Sequence, residues 1–275
     1  MPVTAALSRI FAENRGTGRI ALEVGAANGV TRRRRVAEDG PLRVRCPNSD
    51  GSGLAAMIVN TAGGVVGGDC HRLDIAVGRG ARLTVTTAAA EKIYRSLGPN
   101  AEIDVRLSAA GGAHLAWLPQ ETILFDQARL SRGIGVDLAE SASLLMAEAI
   151  VFGRSAMGEA VVRGFLSDRW RLRRNGRLVF AETTRLDGTI SRRLAEAAIA
   201  KGGIAVATVL AVPANNAAVE QVQALSESFS GEVGISAWNG LAVARLCAKD
   251  GATLRGDLAA VLTALGGELP RLWLN

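Results

Sequence analysis

Two histidines, His71 and His114, and three cysteines, Cys46, Cys70 and Cys247, are all that this 275-residue chain offers for imidazole or thiol chemistry. A Ser-His-Asp or Cys-His centre would have to use one of the two imidazoles. Cys70 and His71 are neighbours. On a strand, neighbouring side chains point to opposite faces, so this pair is poorly placed to grip one ion. The ordinary role of such a cysteine is a small, inert, buried thiol, and that of His71 a surface or hydrogen-bonded histidine. No C-x-x-C, H-E-x-x-H or H-x-H occurs, which argues against a closed structural zinc site. A nucleophile elbow is also missing: Gly153 and Ser155 keep its spacing, but Met157 stands where the second glycine belongs.

The densest motif is Asn60-Thr61-Ala62-Gly63-Gly64-Val65-Val66-Gly67-Gly68-Asp69. Four glycines in six positions call for positive φ or for close approach to another group. Gly63 and Gly68 have P-loop spacing, but Asp69 and Cys70 replace the lysine and hydroxyl residue, and an aspartate there repels phosphate. Gly64 and Gly67 also miss the dinucleotide-binding spacing. About twenty residues on comes Thr86-Thr87-Ala88-Ala89-Ala90-Glu91-Lys92-Ile93-Tyr94-Arg95-Ser96. The motif carboxylates Asp69, Glu91, Glu121, Asp126 and Glu159 are hard oxygen ligands that would hold a divalent ion weakly. Asp69, His71 and Glu91 are the weak candidates for metal contact. The competing role for such carboxylates is to serve turns, caps and ion pairs. Lys92 and Arg95, beside Tyr94, either pair with Glu91 and Asp69 to pin the glycine loop or face a partner protein.

The charge balance is +6, and all cations except Lys92, Lys201 and Lys249 are arginine. That fits either acidic partners or a compositional bias. Arg32-Arg33-Arg34-Arg35 is the one long charge run, read as a solvated strand end or loop, or as a contact for an acidic surface. Arg33, Lys92, Tyr94 and Arg95 are the candidate partner contacts. Nucleic acid is disfavoured, because aromatics are 4% of the chain and a single tyrosine offers no stacking platform. The odd cysteine count suggests no disulfide framework. Met1 to Phe11 lacks a basic region followed by a long apolar run. No stretch of about 18 uncharged apolar residues could span a membrane. A reducing cytoplasm is the expected compartment.

These groups must be positioned mainly by strands. Ala81 to Thr86, Ala101 to Leu107 and Arg169 to Arg173 alternate at the strand period. Asn175-Gly176 and Asn239-Gly240 sit between such runs and predict two-residue hairpins. Helical spacing appears at Asn216 to Phe229 and at Asp257 to Leu265, the latter stopped by Gly266-Gly267. Ser191 to Ala200 is a third possible helix. Turn signals every ten residues or so imply a sandwich, barrel or stacked β-architecture, with no fixed-period repeat to prove a solenoid. Asp187-Gly188 is the likeliest place for a break, although one domain over residues 1–275 is the preferred organisation.

The two blocks already quoted resemble the urease accessory protein UreD (UreH) family. So do Trp117-Leu118-Pro119-Gln120-Glu121-Thr122-Ile123-Leu124-Phe125-Asp126 and Phe152-Gly153-Arg154-Ser155-Ala156-Met157-Gly158-Glu159. The likeness runs from about Gly40 to Trp273. One departure is Ala88, where the family usually has glutamine after the double threonine. The resemblance implies a β-helix-like stack of strands with two or three short helices, mostly in the C-terminal third. It also implies a non-enzymatic maturation factor that binds the urease apoprotein, recruits UreF and UreG, and lets nickel pass in transit without a tightly bound cofactor. Two alternatives compete with it. One is a hydrolase on a β-scaffold using His114 or the pair Glu121 and Asp126. The other is a basic nucleic-acid-binding module.

Overall fold

Period-two alternation becomes strand over most of the chain. The computed structural model describes residues 15–47, 51–154 and 157–273. The amino-terminal stretch read above for a leader, and Ser155 of the elbow-like stretch, lie outside the described residues. In chain order the strands are β1 (Thr17–Ala27), β2 (Val30–Asp39), β3 (Leu42–Arg45), β4 (Leu54–Asn60), β5 (Cys70–Val77), β6 (Arg82–Thr87), β7 (Glu91–Ile93), β8 (Ala101–Ala109) and β9 (His114–Trp117). They continue as β10 (Thr122–Leu124), β11 (Arg129–Leu138), β12 (Ser143–Phe152), β13 (Arg163–Arg174), β14 (Arg177–Thr189), β15 (Ala205–Val212), β16 (Glu232–Trp238) and β17 (Leu241–Ala248).

One sheet runs β14-β13-β11-β8-β5-β1-β2, and a second runs β16-β17-β15-β12-β9-β6-β4-β3. β7 and β10 form a narrow third face that joins the second sheet through β12. From β4 to β13 the chain winds as a coil. β6, β7 and β8 make one turn over the three faces, and β9, β10 and β11 make the next. β12 serves two faces: Ser143–Met146 pairs with β9 and Ile150–Phe152 with β10. This is a stacked, solenoid-like β-architecture.

Stacking puts like residues in columns. Leu54 pairs with Leu83, Leu83 with Leu115 and Leu115 with Leu144, at offsets of 29, 32 and 29 residues. The offsets differ because the turns differ in length, and so no fixed repeat is visible in the sequence. In the first sheet Leu73, Val105, Ile134 and Trp170 form a corresponding column, and both columns feed one core. Each such side chain contributes about 1.5–3 kcal/mol when fully buried.

Antiparallel strands close the coil: β2 on β1, β14 on β13, β3 on β4, and β15, β17 and β16 beyond β12. Asn175-Gly176 and Asn239-Gly240 turn their hairpins with φ of 49° and 77°, and of 50° and 75°. Asn28-Gly29 does the same between β1 and β2, at 52° and 75°. This third hairpin escaped the periodicity reading because Arg32–Arg35 breaks the alternation after it. Those arginines lie inside edge strand β2 rather than at a strand end or in a loop, and a bulge opposite them shifts the register between Glu23 and Val24. Charge along an exposed edge discourages pairing with another sheet.

Among the described residues the α-helices fall after residue 189: α1 (Ile190–Ala195), α2 (Asn216–Gln223) and α3 (Gly251–Ala264). α3 starts six residues before its apolar pattern, because Asp250 caps it, accepting from the Thr253 amide (2.8 Å) and hydroxyl (2.9 Å). α1 is shorter than expected: residues 196–203 turn back through Gly202 at φ 86°. Past α2, Ser226–Ser228 tightens into a 3-10 turn. Asp187-Gly188 lies within β14 and marks no break. Leu254, Leu258, Val261 and Leu262 of α3 pack on the outer side of the second sheet against Val209 and Leu246. No helix among the described residues is long and apolar enough to cross a membrane.

Candidate functional site: a stacked corner of the coil

The narrow third face gathers the four motif blocks. Val65 of the glycine block bridges to Ile93, Ile93 pairs with Leu124, and Leu124 pairs with Phe152. Each of these four buried residues comes from a different block, and together they form one apolar column. Segments about thirty residues apart in sequence therefore sit on successive turns of the coil.

Around the column the glycine block is held by its backbone. The Asn60 side-chain amide donates to the Gly64 carbonyl and to both Glu91 carboxylate oxygens, each at 3.1 Å. The Tyr94 hydroxyl donates to the Gly63 carbonyl at 3.0 Å, and the Val65 amide to the Lys92 carbonyl at 2.8 Å. Gly64 has φ 154°, and a β-carbon there would press into the Tyr94 ring. Asp69, which is buried, clamps the exit of the loop: one oxygen accepts from the Gly16 amide (2.7 Å), the other from the Val66 amide (2.9 Å). Lys92 and Arg95 are exposed and make no ion pair among the described residues. Pinning of the loop by those cations, one of the two roles open to them, is thus replaced by amide donors, chiefly Asn60, a residue the motif contains but whose role its spacing did not reveal. Burial pushes the Glu91 carboxyl above its usual range, against the Asn60 hydrogen bond, which pulls it down.

The remaining block acids are similarly engaged. The Arg154 guanidinium lies 4.2 Å above the Phe125 ring and pairs with Glu159 at 2.6 Å, and Phe125 meets Tyr94 edge-on at 4.9 Å. Asp126 accepts from the Val162 (2.8 Å) and Arg163 (3.0 Å) amides. Its partial burial works upward on the pKa, and these donors outweigh it and hold the carboxyl below its ordinary value. Arg255 of α3 forks onto Glu121 (2.9 and 3.1 Å) and reaches Gln120 at 2.6 Å, while the Trp273 indole donates to the Leu118 carbonyl. The Trp117 block therefore anchors the C-terminal segment. Glu121 and Asp126 serve separate partners and do not form an acid–base pair. His114 Nδ1 lies 2.7 Å from the hydroxyl of its cross-strand neighbour Ser143. Among the described residues no carboxylate hydrogen-bonds its other ring nitrogen.

His71 points into the core and is buried, whereas Cys70 is half-buried on the other side of β5, not the fully buried thiol expected. Among the described residues no group of three or more His, Cys, Asp or Glu is gathered as a metal set. Arg33 lies against Cys46, whose thiol is pushed up by burial and pulled back by that arginine. The structure does not bring Arg33 to the corner: it pairs with Val24, eight residues along β1 from Gly16, or about 26 Å of strand.

A buried ionic cluster went unread in the sequence. The Arg132 guanidinium binds Asp168 in two places (3.0 and 2.6 Å), contacts Glu148, and donates to the Thr122 hydroxyl (3.3 Å). Glu148 also accepts from the Trp117 indole at 2.7 Å. All three charged residues are buried. Burial drives the Glu148 carboxyl upward against the pull of Arg132, and the two carboxylates raise the Arg132 guanidinium against its own burial. A signal existed: Arg132 and Glu148 interrupt otherwise apolar strand faces.

Burial depresses the pKa of both histidines, with Arg82 adding to the effect at His114. A histidine lowered in the folded state stabilises fully above its unfolded value, about 6.5. That contribution is lost as pH falls from there toward the folded value. The melting temperature of the wild type is therefore expected to fall between pH 7 and 5 more steeply than that of His71→Asn/His114→Asn. Parallel curves for the two proteins would contradict this assignment.

The family profile described as "UreD urease accessory protein" matches residues 16–274. A urease accessory protein UreD of Rhodopseudomonas palustris (strain BisA53) is 58% identical over 272 residues, covering 99% of this chain and 95% of the relative. One from Bradyrhizobium diazoefficiens (strain USDA 110) is 56% identical over 268 residues, covering 98% and 97%. The relatives carry the name of an accessory protein, not of an enzyme. With a profile match across all but the ends of the chain and relatives aligned over nearly their full length, this chain belongs to the UreD urease accessory protein family.

Proposed function

We propose that the chain is a non-catalytic maturation factor for urease, holding the apoprotein while nickel is delivered to it. The family match over residues 16–274 carries this reading. In it, UreF and UreG join the complex, UreG supplies the GTPase chemistry, and nickel is cargo that this chain releases. Two observations support the division of labour. The glycine block has Asp69-Cys70 where a phosphate loop needs Lys and a hydroxyl residue. The carboxylates of the motif blocks accept from amides and guanidinium groups in place of an open ligand set. The cytoplasm is the compartment in which the complex would work.

The test is the nickel content of urease purified from a strain lacking this gene. The subunits are expected at normal abundance and nearly free of nickel. Full occupancy in medium of ordinary nickel content would reject the proposal.

A further inference from the structure

Leu97, Met157 and Val162 are 83%, 73% and 49% exposed, and apolar side chains gathered on one surface mark an interaction site. They decorate one corner. The Ser96 amide donates to the Gln127 carbonyl (3.0 Å) and the Gln127 amide to the Arg163 carbonyl (2.9 Å), so the loops carrying Leu97 and Val162 stack across Gln127. The Met157 amide donates to the Arg154 carbonyl, and Arg154 covers Phe125 of that same middle turn. Lys92, Arg95 and Arg163 are exposed at this corner without an ion pair among the described residues. Of the carboxylates nearby, Asp126 is taken by two amides and Glu159 by Arg154. The corner therefore presents apolar side chains rimmed by exposed cations.

We propose that this corner docks a segment of apo-urease that presents apolar side chains flanked by carboxylates. The inference rests on the maturation reading above, and urease is the enzyme to which the family description makes the chain accessory. A second copy of the chain is disfavoured, because each copy carries a charge of +6 and would bring more cations to a cationic rim. Apolar anchors at the centre with charges around them are the usual anatomy of a protein-binding patch.

The test measures binding of purified apo-urease to the full chain and to two variants, Leu97→Asp/Met157→Asp and Arg95→Glu/Arg163→Glu. Because these side chains are exposed, both variants are expected to melt as the wild type does, which separates docking from folding. Each should bind urease at least about tenfold more weakly, and wild-type binding should weaken as salt rises. Wild-type affinity in both variants would overturn the docking surface while leaving the maturation reading standing. Failure of the wild type itself to bind apo-urease would reject both. Unchanged urease binding together with Leu97- and Met157-dependent sedimentation on anionic phosphatidylserine vesicles would reassign the corner to a membrane surface and overturn the proposal.

Discussion

Arg132→Met is expected to destabilise the protein by about 3–5 kcal/mol, the loss typical when one member of a buried ionic cluster is removed. The magnitude comes from what is left behind more than from what is removed. Asp168 and Glu148 would remain buried with no counter-charge, and the Thr122 hydroxyl would lose its donor. Against a total stability of about 5–15 kcal/mol for a typical domain, such a loss should appear as insoluble expression or a much lower urea midpoint. Arg132→Lys should fall between the two. An ammonium keeps the charge, but it cannot fork onto Asp168 while also reaching Glu148 and Thr122. pH gives a second handle on the same cluster. Without the guanidinium, protonating the orphaned carboxylates relieves the burden, so the deficit of Arg132→Met should shrink as pH falls from 7 to 5. A deficit independent of pH, or below about 1 kcal/mol, would mean the cluster is not the buried electrostatic centre described above.

Gly67→Ala should be nearly as damaging, and for a steric reason. A β-carbon on Gly67 would overlap the Ser96 hydroxyl and the Pro99 carbonyl, and the second of these is backbone that cannot swing aside. Gly63, four residues earlier in the same motif, is a built-in control. Its φ of 77° disfavours a side chain, but nothing lies within 4 Å of the position a β-carbon would take. The expected cost of Gly63→Ala is about 1 kcal/mol, from backbone strain alone. For Gly67→Ala a loss of about 2–4 kcal/mol is expected, because the loop carrying Ser96 and Pro99 must shift off the turn below it. The shift would also displace Leu97, so urease activation should fall with stability. Thermal melts of both variants beside a urease activation assay decide the matter. Equal, small effects at the two glycines would show that the close packing of this loop is not rigid.

The sequence by itself determined the prevailing strand character, two of the hairpins and the places of three helical segments, because these follow from local physics. Alternation at period two, positive φ at Asn-Gly and apolar faces at helical spacing need no knowledge of distant residues. It likewise argued against a phosphate loop and a closed structural zinc site, since those depend on short fixed spacings. It showed the glycine block as special, but not whether the cause was a ligand or the chain itself. Only the tertiary structure decided that. Gly67 is a glycine because Ser96 and Pro99 lie against it, and Asp69 is an aspartate because the Gly16 and Val66 amides point at it.

Stacking also decided which parts meet. Turns of unequal length bring Val65, Ile93, Leu124 and Phe152 into one column at irregular offsets that no repeat search would recognise. The Arg132 cluster was hidden for the same reason: Asp168 is 36 residues away along the chain, yet lies directly across the sheet. Charges that would be taken for surface residues on local evidence become an interior ion cluster once a coil closes over them, and that closure is a property of the whole fold rather than of any window of sequence.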